Sequence, residues 1–201
     1  MFGSVPADAQ EGWKKVSEGG DLTIYERAHP GSPLHEFKAV GIIAAEPEVV
    51  RRVLDDVEAY PSFMPYVAEA TCLARDQSSR VSYQRISPPL VGDRDYTVRV
   101  HFESARARNG ASNMRFSWKA ANELGPSEKA GVARVKTTEG FWLLKAAANG
   151  RQTQATYCVL SDGGGGLPAF LTNWASKTAM PKLFGAVRKQ ASLGKYQNGL
   201  R

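Results

Sequence analysis

Four consecutive glycines, Gly163 to Gly166, stand directly before an apolar segment with helical spacing. Glycines so placed can cradle a phosphate at a helix N-terminus. The neighbouring residues decide against it. A P-loop needs a lysine and a hydroxyl after its glycines, and "GGGGLPAF" supplies neither. A dinucleotide fingerprint opens a parallel βαβ unit, and no such alternation surrounds these residues. Four glycines do give large backbone freedom, which before a covering helix reads as a hinge or lid.

Other candidate chemistry is sparse. The three histidines, His29, His35 and His101, lack the spacing of a metal-binding pair, so no metal site is expected. Ser87 and Ser161 lack a nucleophile elbow. Asp55-Asp56 and Asp93-Arg94-Asp95 bring carboxylates together, and the second group, at a strand start, suits structural ion pairs better than acid–base catalysis. Cys72 and Cys158 sit in strand-like runs and read as buried free thiols. None of these groupings has the spacing of a nucleophilic or metal-binding set.

These residues lie on a recognisable order of elements. Residues 5–13 suit a short helix, then "WKKVSE", "DLTIYERA" and "LHEFKAVGII" read as strands with a Gly19-Gly20 turn. Val49, Val50, Val53, Leu54 and Val57 change to helical spacing, with Pro47 in the first turn and Tyr60-Pro61 as a stop. A second helical turn carries Phe63 and Met64. Six strands follow: 69–76, 80–87, 94–104, 113–121, 133–147 and 152–162. Leu167, Phe170, Leu171, Trp174, Thr178, Pro181, Phe184 and Val187 then mark a long helix, which Pro181 should kink. Runs of strands with one long amphipathic helix imply an α+β fold, a curved antiparallel sheet gripping that helix.

The strands describe the interior. Tyr96, Val98, Val100 and Phe102 alternate with Thr97, Arg99, His101 and Glu103. Met114, Phe116 and Trp118 alternate with Arg115, Ser117 and Lys119, and Trp142 and Leu144 continue the pattern. The inward face is aromatic and the wet face basic. That separation argues against RNA binding, which needs both on one face. The same pattern fits a filled core or a cavity roofed by the last helix.

The 201-residue chain suits one domain, and its 42% hydrophobic fraction excludes a disordered one. The formal charge of +6 reads as a solvated basic surface, with acidic partners such as an anionic membrane as the alternative. No run is long enough to span a membrane, and the first residues lack a signal-peptide pattern, so the cytoplasm or the periplasm is expected.

Several stretches resemble START domains, the lipid-transfer branch of the helix-grip superfamily. "GDRDYTVRV" (92–100) is similar to their G-x-R-D-[FY] strand. "EGFWLLKA" followed by "GRQTQATYCVLSDGGGGLPAFLTNWASKTAMPKLFGAVRKQ" is similar to their C-terminal block, and "YPSFMPYV" to a segment of the wider superfamily. The resemblance covers residues 13–190 and implies a single, monomeric, stand-alone bacterial domain over 1–201. It also implies an internal apolar tunnel holding one lipid, transient contact with an anionic membrane, no nucleic acid and no cofactor. The glycine loop Gly163, Gly164, Gly165 and Gly166 would gate it. The expected lining is Phe63, Met64, Tyr66, Tyr83, Tyr96, Val98, Val100, Phe116, Trp118, Trp142, Tyr157, Leu167, Phe170, Leu171, Trp174 and Thr178.

One departure matters. Several START domains pair a tunnel arginine with an acid on the preceding strand. Val100 stands at the arginine position here, and Tyr83 and Gln84 near that of the acid. A tunnel without that pair suits a sterol or another weakly polar lipid, with Tyr83, Tyr157, Trp118 or Thr178 as polar handles. The alternatives are an aromatase/cyclase using Tyr66, Tyr83 or Arg85, and a lipid- or quinone-sensing module.

Overall fold

The computed structural model describes residues 12–31, 34–89, 91–106, 112–162 and 175–198. Ten strands form one sheet in the order β1-β2-β3-β10-β9-β7-β6-β5-β4, with β8 beside β6. They are β1 (Lys14–Gly19), β2 (Leu22–Ala28), β3 (His35–Ile43), β4 (Val67–Arg75), β5 (Ser79–Ile86), β6 (Arg94–Arg106), β7 (Ser112–Ala120), β8 (Ala133–Arg134), β9 (Thr138–Ala147) and β10 (Gln152–Ser161). Every pairing is antiparallel except that of β8 with β6. The helices are α1 (Pro47–Asp55), α2 (Tyr60–Phe63), α3 (Met180–Ala191) and α4 (Gly194–Gln197), with a π-helical turn at Ala175–Ala179 leading into α3. This is the α+β, helix-grip arrangement that the strand-rich order implies.

The apolar stripes explain the packing. Val49, Val50, Val53 and Leu54 of α1 are buried across β7, β9 and β10. Met180, Phe184, Val187 and Ala191 do the same for α3, which lies against β3 and α1. Phe184 is fully buried, with its ring 5.2 Å from that of Trp142. Full burial of such a ring contributes about 1.5–3 kcal/mol. The ring sits over Gly41, where a Cβ would come within 2.9 Å of it. Arg188 fastens the same helix to the sheet, donating from Nε to the Ile42 carbonyl at 2.9 Å.

Three expected boundaries differ. Trp13 is not helical, and residues 5–11 lie outside the described ones. Pro61 opens α2 instead of ending α1, which stops at Asp55. The Tyr60 hydroxyl turns back to donate to the Leu54 carbonyl at 2.6 Å, satisfying an acceptor at the end of α1. Pro181 lies directly after the π turn at Ala175–Ala179, whose helical backbone runs without a break into α3, so the irregularity at the proline is a wider turn.

Candidate functional site

Register places the inward residues in rows. Val100 faces Trp118, which faces Gly140, and Phe116 faces Trp142, which faces Tyr157. Met64, Val98, Val100, Phe116 and Trp142 are buried in one apolar cluster, with Phe63, Tyr96, Trp118 and Tyr157 packed at its edge. Trp118 stacks on Tyr157 at 5.6 Å, and Tyr157 lies 4.8 Å from Trp142. Gly140 makes room for the indole of Trp118, because a Cβ there would come within 2.6 Å of it.

Tyr96 and Tyr157 stand on this wall half-buried. Desolvation drives both phenols far above the ordinary tyrosine value, and each also feels a neighbouring phenol. The Tyr96 hydroxyl donates to Gln84 Oε1 at 3.1 Å across the strand pair. The Tyr157 hydroxyl has no hydrogen-bond partner among the described residues.

One expected lining residue lies elsewhere. Tyr83 pairs with Thr97 on the opposite face of the sheet. It is buried there, with its hydroxyl 3.2 Å from Asp95 Oδ2, so it is no tunnel handle. Segment 122–135 covers that outer face: Asn122 Oδ1 accepts from the Thr97 amide, and Arg134 pairs with Asp95. Thr178 lies half-buried on the π turn, which packs beside β1. Tyr66 adopts a left-handed backbone at φ 65°, with Lys182 of α3 5.3 Å above its ring. Leu167, Phe170, Leu171, Trp174 and Gly163–Gly166 lie outside the described residues.

The inward face of β5 is polar: Arg80, Ser82 and Gln84 pair with Val100, Val98 and Tyr96. Val100 is buried as expected at its position. Charge is nevertheless present near it. Arg80 donates from NH1 to Asp55 Oδ1 at 2.5 Å and from NH2 to the Leu54 carbonyl at 3.0 Å. A charged pair thus stands on β5 and α1, at positions other than those of the family's arginine and acid. Arg94 and Asp95 do not form the anticipated pair. Strand alternation sends them to opposite faces, Arg94 to the carbonyls of Val91 and Gly92, Asp95 to Arg134. Arg85 lies on the outer face with Glu69 and Asp93. Cys72 and Cys158 are free thiols but half-buried, and burial pushes Cys158 up to about 11.

The turn ahead of β5 has its own pH dependence. Asp76 Oδ1 accepts from the Ser78 and Ser79 amides at 2.8 and 2.7 Å, and Oδ2 from the Ser79 hydroxyl at 2.7 Å. These bonds, the hydroxyl first, hold its carboxyl at about 2. A depressed carboxylate stabilises above its unfolded value near ~3.9, and that contribution is lost as pH falls toward the folded value. Acid titration followed by NMR should therefore expose the Ser78 and Ser79 amides to exchange between those limits. Protection unchanged through this range would refute the turn's dependence on Asp76.

The Polyketide cyclase / dehydrase and lipid transport family model matches residues 43–188, and the chain belongs to that family. A STAR-related lipid transfer protein from Xanthomonas axonopodis superposes with a TM-score of 0.78 at 27% identity, over 91% of this chain and 100% of that one. Mouse phosphatidylcholine transfer protein is 26% identical over 88% of this chain and 82% of its own length. The aromatase/cyclase Zhui from Streptomyces sp. R1128 shares the fold at a TM-score of 0.51 and 16% identity, over 84% of this chain and 96% of that one. The fold is that of START lipid-transfer proteins. Among the described residues no helix is long and apolar enough to cross a membrane.

Proposed function

We propose that the chain binds one hydrophobic lipid between the inner sheet face and α3 and carries it unchanged. The observation that carries this reading is the inward aromatic wall, in which Tyr96, Trp118 and Tyr157 stay only half-buried although they pack on the core. Each CH₂ of a ligand buried there contributes about 0.8 kcal/mol. A weakly polar lipid of the sterol type suits the site best. Its single hydroxyl matches the neutral groups Gln84, Tyr96 and Tyr157, which stand apart from Arg80. Phosphatidylcholine, named in the curated relatives, is the competing ligand. The π faces of Trp118 and Tyr157 suit a quaternary ammonium. Catalysis is disfavoured, because acid–base work needs a pKa near the working pH and burial moves both phenols away from it. The +6 charge supports docking on anionic membranes, so transfer should slow with added salt.

Native mass spectrometry of the purified chain tests the reading, followed by transfer between vesicles carrying sterol or phosphatidylcholine. One intact lipid per chain is expected, with sterol preferred. Tyr157→Phe should weaken uptake on the order of tenfold, the effect of one lost hydrogen bond in a dry site. An empty chain that takes nothing from either vesicle would sink the carrier reading. A ligand returned chemically altered would favour the cyclase class.

A further inference from the structure

β5 has eight residues and so spans roughly 23 Å. At the end of β5 away from Gln84, the sheet and α1 leave a cleft of about 140 Å³. Arg51, Asp55, Arg75, Arg80 and the turn at Asp76–Ser79 line it, with the inward ring of Phe116 beneath. Its rim is solvent-exposed at Arg75, Asp76 and Gln77. A cavity of that size holds several waters, or one oxyanion.

Arg51, Arg75 and Arg80 face the cleft with Asp55 and Asp76 in its lining, and Glu48 beside it pairs Arg51 at 2.6 Å. Asp76 is engaged by its own turn. Asp55 serves Arg80 at 2.5 Å, Arg75 at 2.8 Å and Arg51 at 3.7 Å. Arg80 is only 8% exposed, and its buried Nε has no hydrogen-bond partner. Native structures rarely leave a buried donor of a charged group unpaired, so an acceptor is missing here.

We propose that this cleft binds a phosphate-type oxyanion. The anion shares the guanidiniums with Asp55, supplies the acceptor that the Arg80 Nε–H lacks, and takes further donors from Arg75 and Arg51. A guanidinium fork matches two oxygens of such a group, which an ammonium does not. The phosphate comes from free phosphate or from a lipid headgroup. The proposal does not rest on lipid carriage, since the rim opens outward at the far end of β5, and an empty chamber would leave it standing.

The test is an NMR titration of the full chain with inorganic phosphate, following the Arg80 Nε–H. A saturable shift is expected, absent when chloride is added to the same ionic strength. Arg75→Gln, on the exposed rim, should weaken binding on the order of tenfold without altering the fold. Arg80→Lys should abolish saturable binding, followed in that variant on the Ser78 and Ser79 amides of the cleft lining. Vesicles of phosphatidic acid in phosphatidylcholine separate the sources: a shift with these vesicles assigns a headgroup, and a shift with inorganic phosphate alone assigns the free ion. A resonance that stays still in both, or that moves equally with chloride, overturns the proposal. The same holds if Arg75→Gln binds phosphate as tightly as the wild-type chain.

Discussion

Replacing Asp95 with alanine should lower the unfolding free energy by about 3–5 kcal/mol, the cost of leaving a buried charge without its partner. The side chain of Asp95 is 1% exposed and that of Arg134 is 8% exposed. Arg134 donates to Asp95 from Nε at 2.7 Å and from NH2 at 3.2 Å, and its other acceptor among the described residues is the Pro126 carbonyl at 3.0 Å. The Tyr83 hydroxyl would lose its acceptor too. Against a total stability of about 5–15 kcal/mol, such a loss threatens folding at growth temperature. Urea denaturation measures it. The double variant Asp95→Leu with Arg134→Met removes both charges and should cost much less than the single change. Tyr83 gives an independent readout. Burial first, and Asp95 second, push its phenol up to about 12. In Asp95→Ala its titration should move down yet stay above the ordinary tyrosine value. A single variant that loses under ~1 kcal/mol, no more than an exposed pair, would show that the ion pair is solvated.

This cluster also shows why β5 misled the sequence reading. In "RVSYQRIS" the apolar residues Val81 and Tyr83 alternate as an inward face would. Both are buried, but on the outer face, where Lys129 of segment 122–135 lies over the Tyr83 ring, while Arg80, Ser82 and Gln84 point inward. When both faces of a strand are covered, alternation no longer says which is the interior. Only the pairing of Gln84 with Tyr96 settles it. On β6 from Arg99 onward, and on β7, the other face is wetter, and there the inward sets from Tyr96 to Phe102 and from Met114 to Trp118 are legible from sequence alone.

The stretch 133–147 reads as one strand for a related reason. It is β-rich throughout, but β8 pairs with β6 while β9 pairs with β7. β7 ends at Ala120 opposite Val98, which leaves Arg94 and Asp95 of β6 open for β8. Pairing partners, not local propensity, set the break. Arg80 was missed because its partner Asp55 lies 25 positions away on α1. Spacing reveals such pairs only within one element.

Gly140→Ala carries the other large expected effect, because it strikes the aromatic wall and the sheet at once. A Cβ at this position would lie 2.1 Å from the Cys158 carbonyl oxygen and 2.6 Å from the Trp118 ring. The ring can shift, but the carbonyl belongs to β10 and cannot move without parting β9 from it. Overpacking of this kind costs about 1–3 kcal/mol, and a backbone clash belongs at or above the upper end. Displacing Trp118 would also undo its stack on Tyr157. Lipid uptake should therefore fall even in protein that remains folded. Gly185→Ala is the matched control. Gly185 is exposed within α3 and nothing lies within 4 Å of a Cβ there, so alanine should stabilise the helix by about 0.5–1 kcal/mol. Thermal denaturation by circular dichroism, with uptake from vesicles measured on the same samples, separates the two effects. If Gly140→Ala melts with the wild-type chain and loads lipid equally well, the sheet opens there at no cost, and the tight seat of Trp118 is not part of what shapes the chamber.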